Sequence, residues 1–312
     1  MNKSYLLSKW TLVLAATAFV GMISPLLLLA QAASGQRTFP TPAAAAAALV
    51  AASRSDDESG LLAILGPDGK DLISSGDAVA DKHSRENFVK LYAEKHSLTS
   101  EAQGFKTLTV GLKDWPMPIP IVRDGTIWYF DSAQGKQEIL DRRIGENELG
   151  AIAVCEGYVA AQKEYASKGH DGLPAGLYAQ RLVSTEGKHD GLYWPVKAGE
   201  KESPMGPAVA DAAAEGYPVG SGPSPYHGYY YRLLKEQGPA AEGGAKSYLV
   251  DGKLSGGFAL LAYPANYGVG GIMTFLVNQD GNILQKDLGD DTANLAKAVT
   301  AYNPSEDWEP AD

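Results

Sequence analysis

The sequence predicts an α+β protein in two halves: N-terminal helices plus a curved antiparallel sheet, then a long helix plus an antiparallel β-meander. Three observations lead there. Apolar residues fall on one side at helical spacing near 81–95 and again within 133–167. Short runs rich in β-branched and aromatic residues stand between, and Asp-Gly pairs at 124–125, 251–252 and 280–281 give hairpin turns. The chain has 312 residues, which at about 100–200 residues per domain asks for two domains.

Residues 1–32 read as a secretory leader. Lys3 and Lys9 supply a positive start, Trp10 to Ala30 is an uncharged, mostly apolar run, and Ala30-Gln31-Ala32 fits the small-x-small exit, with cleavage expected after Ala32. The alternative is a retained anchor, since the run is long enough to span a bilayer, although Gly21 and Pro25 interrupt its helix. No other stretch reaches about 18 consecutive apolar residues, so no membrane span is expected after cleavage. Residues 33–40 read as a flexible lead-in.

The first α+β domain is placed at 41–140. Thr41-Pro42 opens a helix as N-cap and first helical residue, with alanines behind it. A short helix at Leu61–Leu65 stops at the turn Gly66-Pro67-Asp68-Gly69, and a third helix covers about Asp81–Lys95. Strands are expected at Phe105–Val110, Ile119–Arg123 and Thr126–Asp131, the last two joined by Asp124-Gly125. Pro116, Pro118 and Pro120 each lack a backbone donor, which suits a protected sheet edge better than a docking segment.

The second α+β domain is placed at 141–303. A helical pattern runs from Ala133 to about Ser167, divided at Gly145, with Leu149, Ile152, Cys155, Val159, Gln162 and Ala166 as its packing stripe. Residues 168–227 read as a long irregular crossing with one helix at Ala208–Glu215. Strands are expected at Gly228–Leu234, Tyr248–Val250, Phe258–Tyr263, Ile272–Asn278 and Ile283–Asp287. A last helix at 293–301 takes Asp290 or Asp291 as its cap, and 304–312 reads as a loose tail.

Composition excludes several classes of function. With 27 Lys+Arg against 37 Asp+Glu the formal charge is −10, and the chain has no basic block, so nucleic acid is not an expected partner. The single cysteine, Cys155, cannot form an internal disulfide and stands on an apolar helix face, the setting of an inert core thiol. The five histidines, His83, His96, His170, His189 and His227, include no i,i+4 pair and no H-E-x-x-H, so neither a zinc site nor any other cofactor is expected. There is no G-x-S-x-G; the serine of Gly220-Ser221-Gly222 lies in a turn-rich loop. Asp280, Asp287, Asp290 and Asp291 could gather around Ca²⁺, but turn and cap roles account for them and the ligand ladder of a calcium loop is missing.

The most suggestive cluster is aromatic. Tyr193, Trp194, Tyr226, His227 and Tyr229 stand in or beside the irregular region, where an apolar ring with a polar tip suits binding of a glycan or a protein. Alternation along 229–231 would turn some of these rings into the sheet instead. His227 is the candidate for acid–base work, with no nucleophile or oxyanion donor identified beside it.

Six stretches together resemble a bacterial exported family known as domain of unknown function 2950. They are Ala63-Ile-Leu-Gly-Pro-Asp-Gly-Lys70, Trp115-Pro-Met-Pro-Ile-Pro120, Arg142-Arg-Ile-Gly-Glu-Asn-Glu-Leu149, Gly191-Leu-Tyr-Trp-Pro195, Pro225-Tyr-His-Gly-Tyr229 and Gly256-Gly-Phe-Ala259 running to Met273-Thr-Phe275. The resemblance implies export into a Gram-negative envelope, hence a periplasmic or extracellular setting, and brings no activity or catalytic residue. The first half, ending Thr126-Ile-Trp-Tyr-Phe-Asp131, resembles NTF2-like cones. The second half, with Ala262-Tyr-Pro264 in its meander, resembles the globular part of a pilin or pseudopilin. It lacks the apolar segment that precedes the pilin helix, so polymerisation through a helix bundle is not expected. Three functional expectations follow. The first is a non-catalytic exported protein that binds an envelope protein or glycan. The second is a small-ligand cavity in the N-terminal cone, walled by Trp128 and Phe130. The third is an envelope hydrolase that uses His227.

Overall fold

The computed structural model describes residues 32–100, 104–197, 199–219 and 224–311. The leader assigned to 1–32, apart from Ala32, and the Gly220-Ser221-Gly222 loop lie outside the described residues. The architecture is α+β, with seven helices and several mostly antiparallel sheets among the described residues. None of these helices is long and apolar enough to cross a membrane.

The first half opens with α1 (Pro42–Arg54), α2 (Glu58–Leu65), a 3₁₀ turn at Pro67–Gly69, α3 (Lys70–Ile73) and α4 (Ala78–Glu94). Local chemistry sets the starts. The Ala44 N–H donates to Thr41 Oγ1 at 3.1 Å, Pro42 occupies the first turn, and the Gly60 N–H donates to Asp57 Oδ1 at 2.9 Å. Five strands follow: β1 (His96–Thr99), β2 (Phe105–Val110), β3 (Trp115–Pro116), β4 (Ile121–Asp124) and β5 (Ile127–Phe130). Their order is β1-β2-β4-β5, with β3 on β2, so Pro116 stands in a two-residue strand off the main path. Asp124 pairs with Ile127, which makes the hairpin loop Gly125-Thr126, one residue beyond the expected turn. Leu49, Ile64, Leu108, Ile121 and Phe130 form the buried centre.

The lead-in is not free, contrary to expectation. Phe39 is buried and exchanges two backbone hydrogen bonds of 2.8 Å with Trp128, while the Gln36 amide donates to the carbonyls of Ile64 and Phe130. These four bonds extend the first core to residue 36.

The boundary expected at 140/141 falls inside α5 (Lys136–Ala166), a continuous helix of 31 residues, about 46 Å long. Gly145 does not divide it. A helical glycine costs only about 1 kcal/mol, and α5 is gripped on both sides of that position: Leu140 and Ile144 pack before it, Cys155, Tyr158 and Val159 after it. The expected stripe holds at Cys155, Val159 and Gln162, all buried, but fails at Leu149, which is 67% exposed.

In the second half, β6 (Arg181–Val183) and β7 (Gly191–Tyr193) form a parallel pair inside the region expected to be irregular, followed by α6 (Gly206–Ala214). The main sheet contains β8 (Tyr229–Leu234). Two short ribbons follow it: β9 (Glu236–Gln237) with β10 (Lys246–Ser247), and β11 (Leu249–Val250) with β12 (Lys253–Leu254). Then come β13 (Ala259–Pro264), β14 (Met273–Asn278), β15 (Leu284–Asp287), α7 (Thr292–Ala298) and β16 (Glu309–Pro310). The sheet order is β16-β15-β14-β13-β8, with Leu261 paired to Leu276 and to Arg232. Cys155, Tyr158 and Val159 of α5 share its core, where Tyr158 meets Phe258 edge-on at 5.5 Å.

Two expectations at the C-terminal end are corrected. The expected loose tail is not loose over its described residues 304–311, because Glu309 pairs with Gln285 and Trp308 packs against the second core. Asp291 occupies the cap position of α7, but its side chain accepts no backbone N–H; its Oδ1 accepts from the Asn294 side chain at 2.6 Å.

Candidate functional site

The aromatic residues expected to form one binding cluster are divided into three environments. Tyr193 is the last residue of β7 and Trp194 follows it. Trp194 lies 4.5 Å from the His189 ring, 5.5 Å from His170 and 6.4 Å from Tyr165, so it is half-buried among tilted rings. Burial pushes the Tyr165 hydroxyl up to about 12 and keeps it a donor to the His189 carbonyl. Tyr229 is fully buried in the sheet, its hydroxyl donating to the Met273 carbonyl at 2.9 Å. It belongs to the core and not to a binding surface. Tyr226 and His227 form the third environment, together with Asp77, Asn147, Gly150, Glu215 and Tyr217, which stand apart from them in the sequence.

That environment is a clasp between the halves. His227 has a left-handed backbone, φ +49°. Its ring stacks on Tyr226 at 4.1 Å, and its Nε2 is 2.9 Å from Glu215 Oε2. On the far side, Nδ1 lies 3.3 Å from the place a Cβ would occupy at Gly150, so the ring packs closely on α5 at a glycine. The next residue, Gly228, has φ +77°, and a Cβ there would stand 2.5 Å from Asn147 Nδ2.

Asp77 ties this loop to the first half. It is 1% exposed. Its Oδ1 accepts from the N–H groups of Val79 and Ala80 at the start of α4, and its Oδ2 accepts from the Tyr217 hydroxyl at 3.0 Å and the Gly228 N–H at 2.9 Å. Burial, then the Asp77 charge, raises the Tyr217 hydroxyl well above the usual tyrosine range, so it remains a donor. The His227 N–H in turn donates to Tyr217 at 3.3 Å. Further along α5, Glu148 Oε1 accepts from the N–H groups of Ile272 and Met273, each at 2.9 Å, and Asn147 donates to the Gly270 carbonyl at 2.8 Å.

Two hollows flank this clasp and open on one face of α5. The larger, about 750 Å³, runs beside Gly150, Ala153, Gly157 and Ala161, faces α6, and ends at Tyr226 and His227. The smaller, about 560 Å³, lies in the first half and is reached by Ile139, Arg142, Arg143 and Glu146 of the same helix. Trp128 and Phe130 were the expected walls of such a cavity, and neither reaches it: Phe130 is fully buried in the core and Trp128 is bound to Phe39. Its apolar lining comes instead from residues such as Leu49, Leu61, Phe88 and Met117. Asp81 lies on the same wall. Burial raises its carboxyl above the ordinary range, although both oxygens accept from the Ser75 N–H.

The remaining candidates have local partners. Cys155 is fully buried, and burial pushes its thiol up to about 12. Asp280 accepts from Asn278, Asp287 from Gly289 and Tyr267, and Asp291 from Asn294. Among the described residues no group of three or more His, Cys, Asp and Glu side chains could hold a metal ion. No hydroxyl or thiol among the described residues is hydrogen-bonded to the His227 ring.

Fold and site together define a class: an α+β protein with two cores strung on one long helix and two hollows opening along it. The chain belongs to the family described as Protein of unknown function (DUF2950), whose model matches residues 36–311. No curated protein and no solved structure matches it.

Proposed function

We propose that this chain is an exported, non-catalytic binding protein, and that its principal surface is the groove along α5, which receives an apolar segment of an envelope protein. One observation carries the reading. The groove offers about 750 Å³ between walls of mainly alanine, glycine, valine and proline, with His227 closed onto Glu215 at one end. Ligand sites of about 300–1,000 Å³ that hold small polar molecules place a few converging polar groups on their walls. A glycan would need such groups, and this groove offers few. The hydrolase reading has less support, since no hydroxyl or thiol among the described residues is hydrogen-bonded to the His227 ring and its neighbour Tyr217 donates to Asp77. Export is supported by the charge, apolar run and Ala-x-Ala exit of residues 1–32.

In-cell photo-crosslinking tests the proposal. A photoreactive residue at Ala153, inside the groove, is expected to give a discrete protein adduct that the same residue at exposed Ala93 does not give. Identical adducts at both positions, or none at Ala153, would overturn the reading.

A further inference from the structure

We infer that the smaller hollow is a second, independent site, for a single-chain amphiphile with an anionic head. Its volume of about 560 Å³ lies within the usual range of small-molecule sites, about 300–1,000 Å³. Leu49, Leu61, Phe88, Leu91, Met117 and Ile119 make most of it apolar, the setting for an acyl or alkyl body.

The polar groups of the hollow are not equivalent. Arg142 is paired with Glu138 and lies over the Trp115 ring at 5.4 Å. Arg85 donates to Asp56 at 2.6 Å and to the Ile73 carbonyl at 3.1 Å. Arg143 differs from both. It donates to the carbonyls of Asp71 and Leu72, at 2.6 and 2.8 Å, and forms no ion pair among the described residues. The two carboxylates whose charges act on it are engaged elsewhere, Asp71 with Lys136 at 2.5 Å and Asp81 with the Ser75 N–H. A guanidinium carries five N–H donors in a planar fork matched to carboxylate and phosphate. Arg143 therefore faces the hollow as a half-buried cation with donors to spare, already oriented by the turn that it staples. An apolar body next to one such cation fits a fatty carboxylate or an alkyl phosphate, and disfavours a cationic amphiphile. The groove beside α6 plays no part in this argument.

Isothermal titration of the full chain tests it with three C12 probes, dodecanoate, dodecyl phosphate and dodecyltrimethylammonium. One equivalent of an anionic probe is expected to bind. Tighter dodecanoate binding would point to a free fatty acid, and tighter dodecyl phosphate binding to a lysophospholipid-like head. Arg143→Gln is expected to weaken the anionic probes on the order of ten- to a hundredfold, the scale of one charge-assisted hydrogen bond. Because Arg143 also staples the 71–72 turn, Ser84→Trp is the second variant: Ser84 is exposed on α4 at the hollow, and the indole should block entry without disturbing the fold. Gly157→Leu, which fills the other groove, should leave binding unchanged. Equal affinity for the cationic probe, absence of binding by both anions, or loss with Gly157→Leu but not with Ser84→Trp would each refute the inference.

Discussion

Asp77→Ala is the sharpest test of the clasp. The substitution removes an N-cap, typically worth about 1 kcal/mol. It also leaves the Tyr217 hydroxyl and the Gly228 N–H without their acceptor, at about 1–3 kcal/mol for each buried donor. Some relaxation and water entry will reduce the total, which should be on the order of 4 kcal/mol. At about 2–4 °C per kcal/mol for a chain of this size, the melting temperature should fall by roughly 8–16 °C. Circular dichroism during thermal and urea unfolding measures this. Hydrogen exchange should locate the loss at the start of α4 and in the 224–228 loop, because Asp77 joins those two segments. Tyr217→Phe removes only one of the four donors and should cost about 1 kcal/mol, with clear coupling to Asp77→Ala in a double-mutant cycle. A change below about 0.5 kcal/mol for Asp77→Ala would show that the carboxylate is not holding the halves, and the reasoning would fail there.

Two further outcomes follow from groups elsewhere in the chain. Cys155, Tyr165 and Tyr248 are each raised to about 12 by burial, from ordinary values of 9.0 and 10.0. The unfolded chain gives up these protons first, so the folded state holds more protons in that window and stability present below about pH 9 should decline as pH rises toward 12. Tyrosinate absorbance and ellipticity followed together from pH 8 to 12 check this; full tyrosine ionisation with ellipticity unchanged would contradict it. Deleting residues 304–312 removes β16 and Trp308, uncovers the β15 edge and takes an aromatic ring from the second core. The shortened chain should melt lower and aggregate faster in light scattering than the intact one.

What could be read from the sequence was local. The Thr41-Pro42 start, the Asp251-Gly252 turn and the apolar runs of β13 and β14 each depend on a few neighbouring residues, and each is found close to where it was expected. What was missed depended on distant partners. The helix after Gly76 was expected to begin near Asp81, so the capping role of Asp77 passed unnoticed, and nothing local joins Asp77 to Tyr217, 140 positions away. An aspartate one residue before an alanine-led helix was the available signal. Gly145 looked like a break because propensity speaks only for the isolated helix, whereas packing on both sides decides the outcome. The tyrosines of 226–231 looked alike in sequence. Strand alternation then placed Tyr229 in the core, while Tyr226 precedes the strand and remains at the groove. The three-residue strands β6 and β7 are too short to show any period.

The long helix explains why the two cores cannot be treated as separable domains. A third, smaller cluster lies between them, in which Leu140 and Ile144 of α5 meet Val269, with Leu72 from the first half and Ile272 from the second packed against it. Any cut through α5 at 140/141 would divide that cluster and expose apolar surface on both pieces, at roughly 25 cal/mol for each Å² uncovered. The polar ties point the same way. Arg143 holds the 71–72 carbonyls, and within the next five residues Asn147 and Glu148 hold 270–273, so consecutive turns of one helix bind opposite halves. A helix side chain at i lies near those at i+3 and i+4, which leaves no room between these grips for an independent hinge. The cavity at Arg143 and the groove at Gly150 therefore stand about two turns apart on a single rod, and their spacing is fixed by the helix and not by a linker.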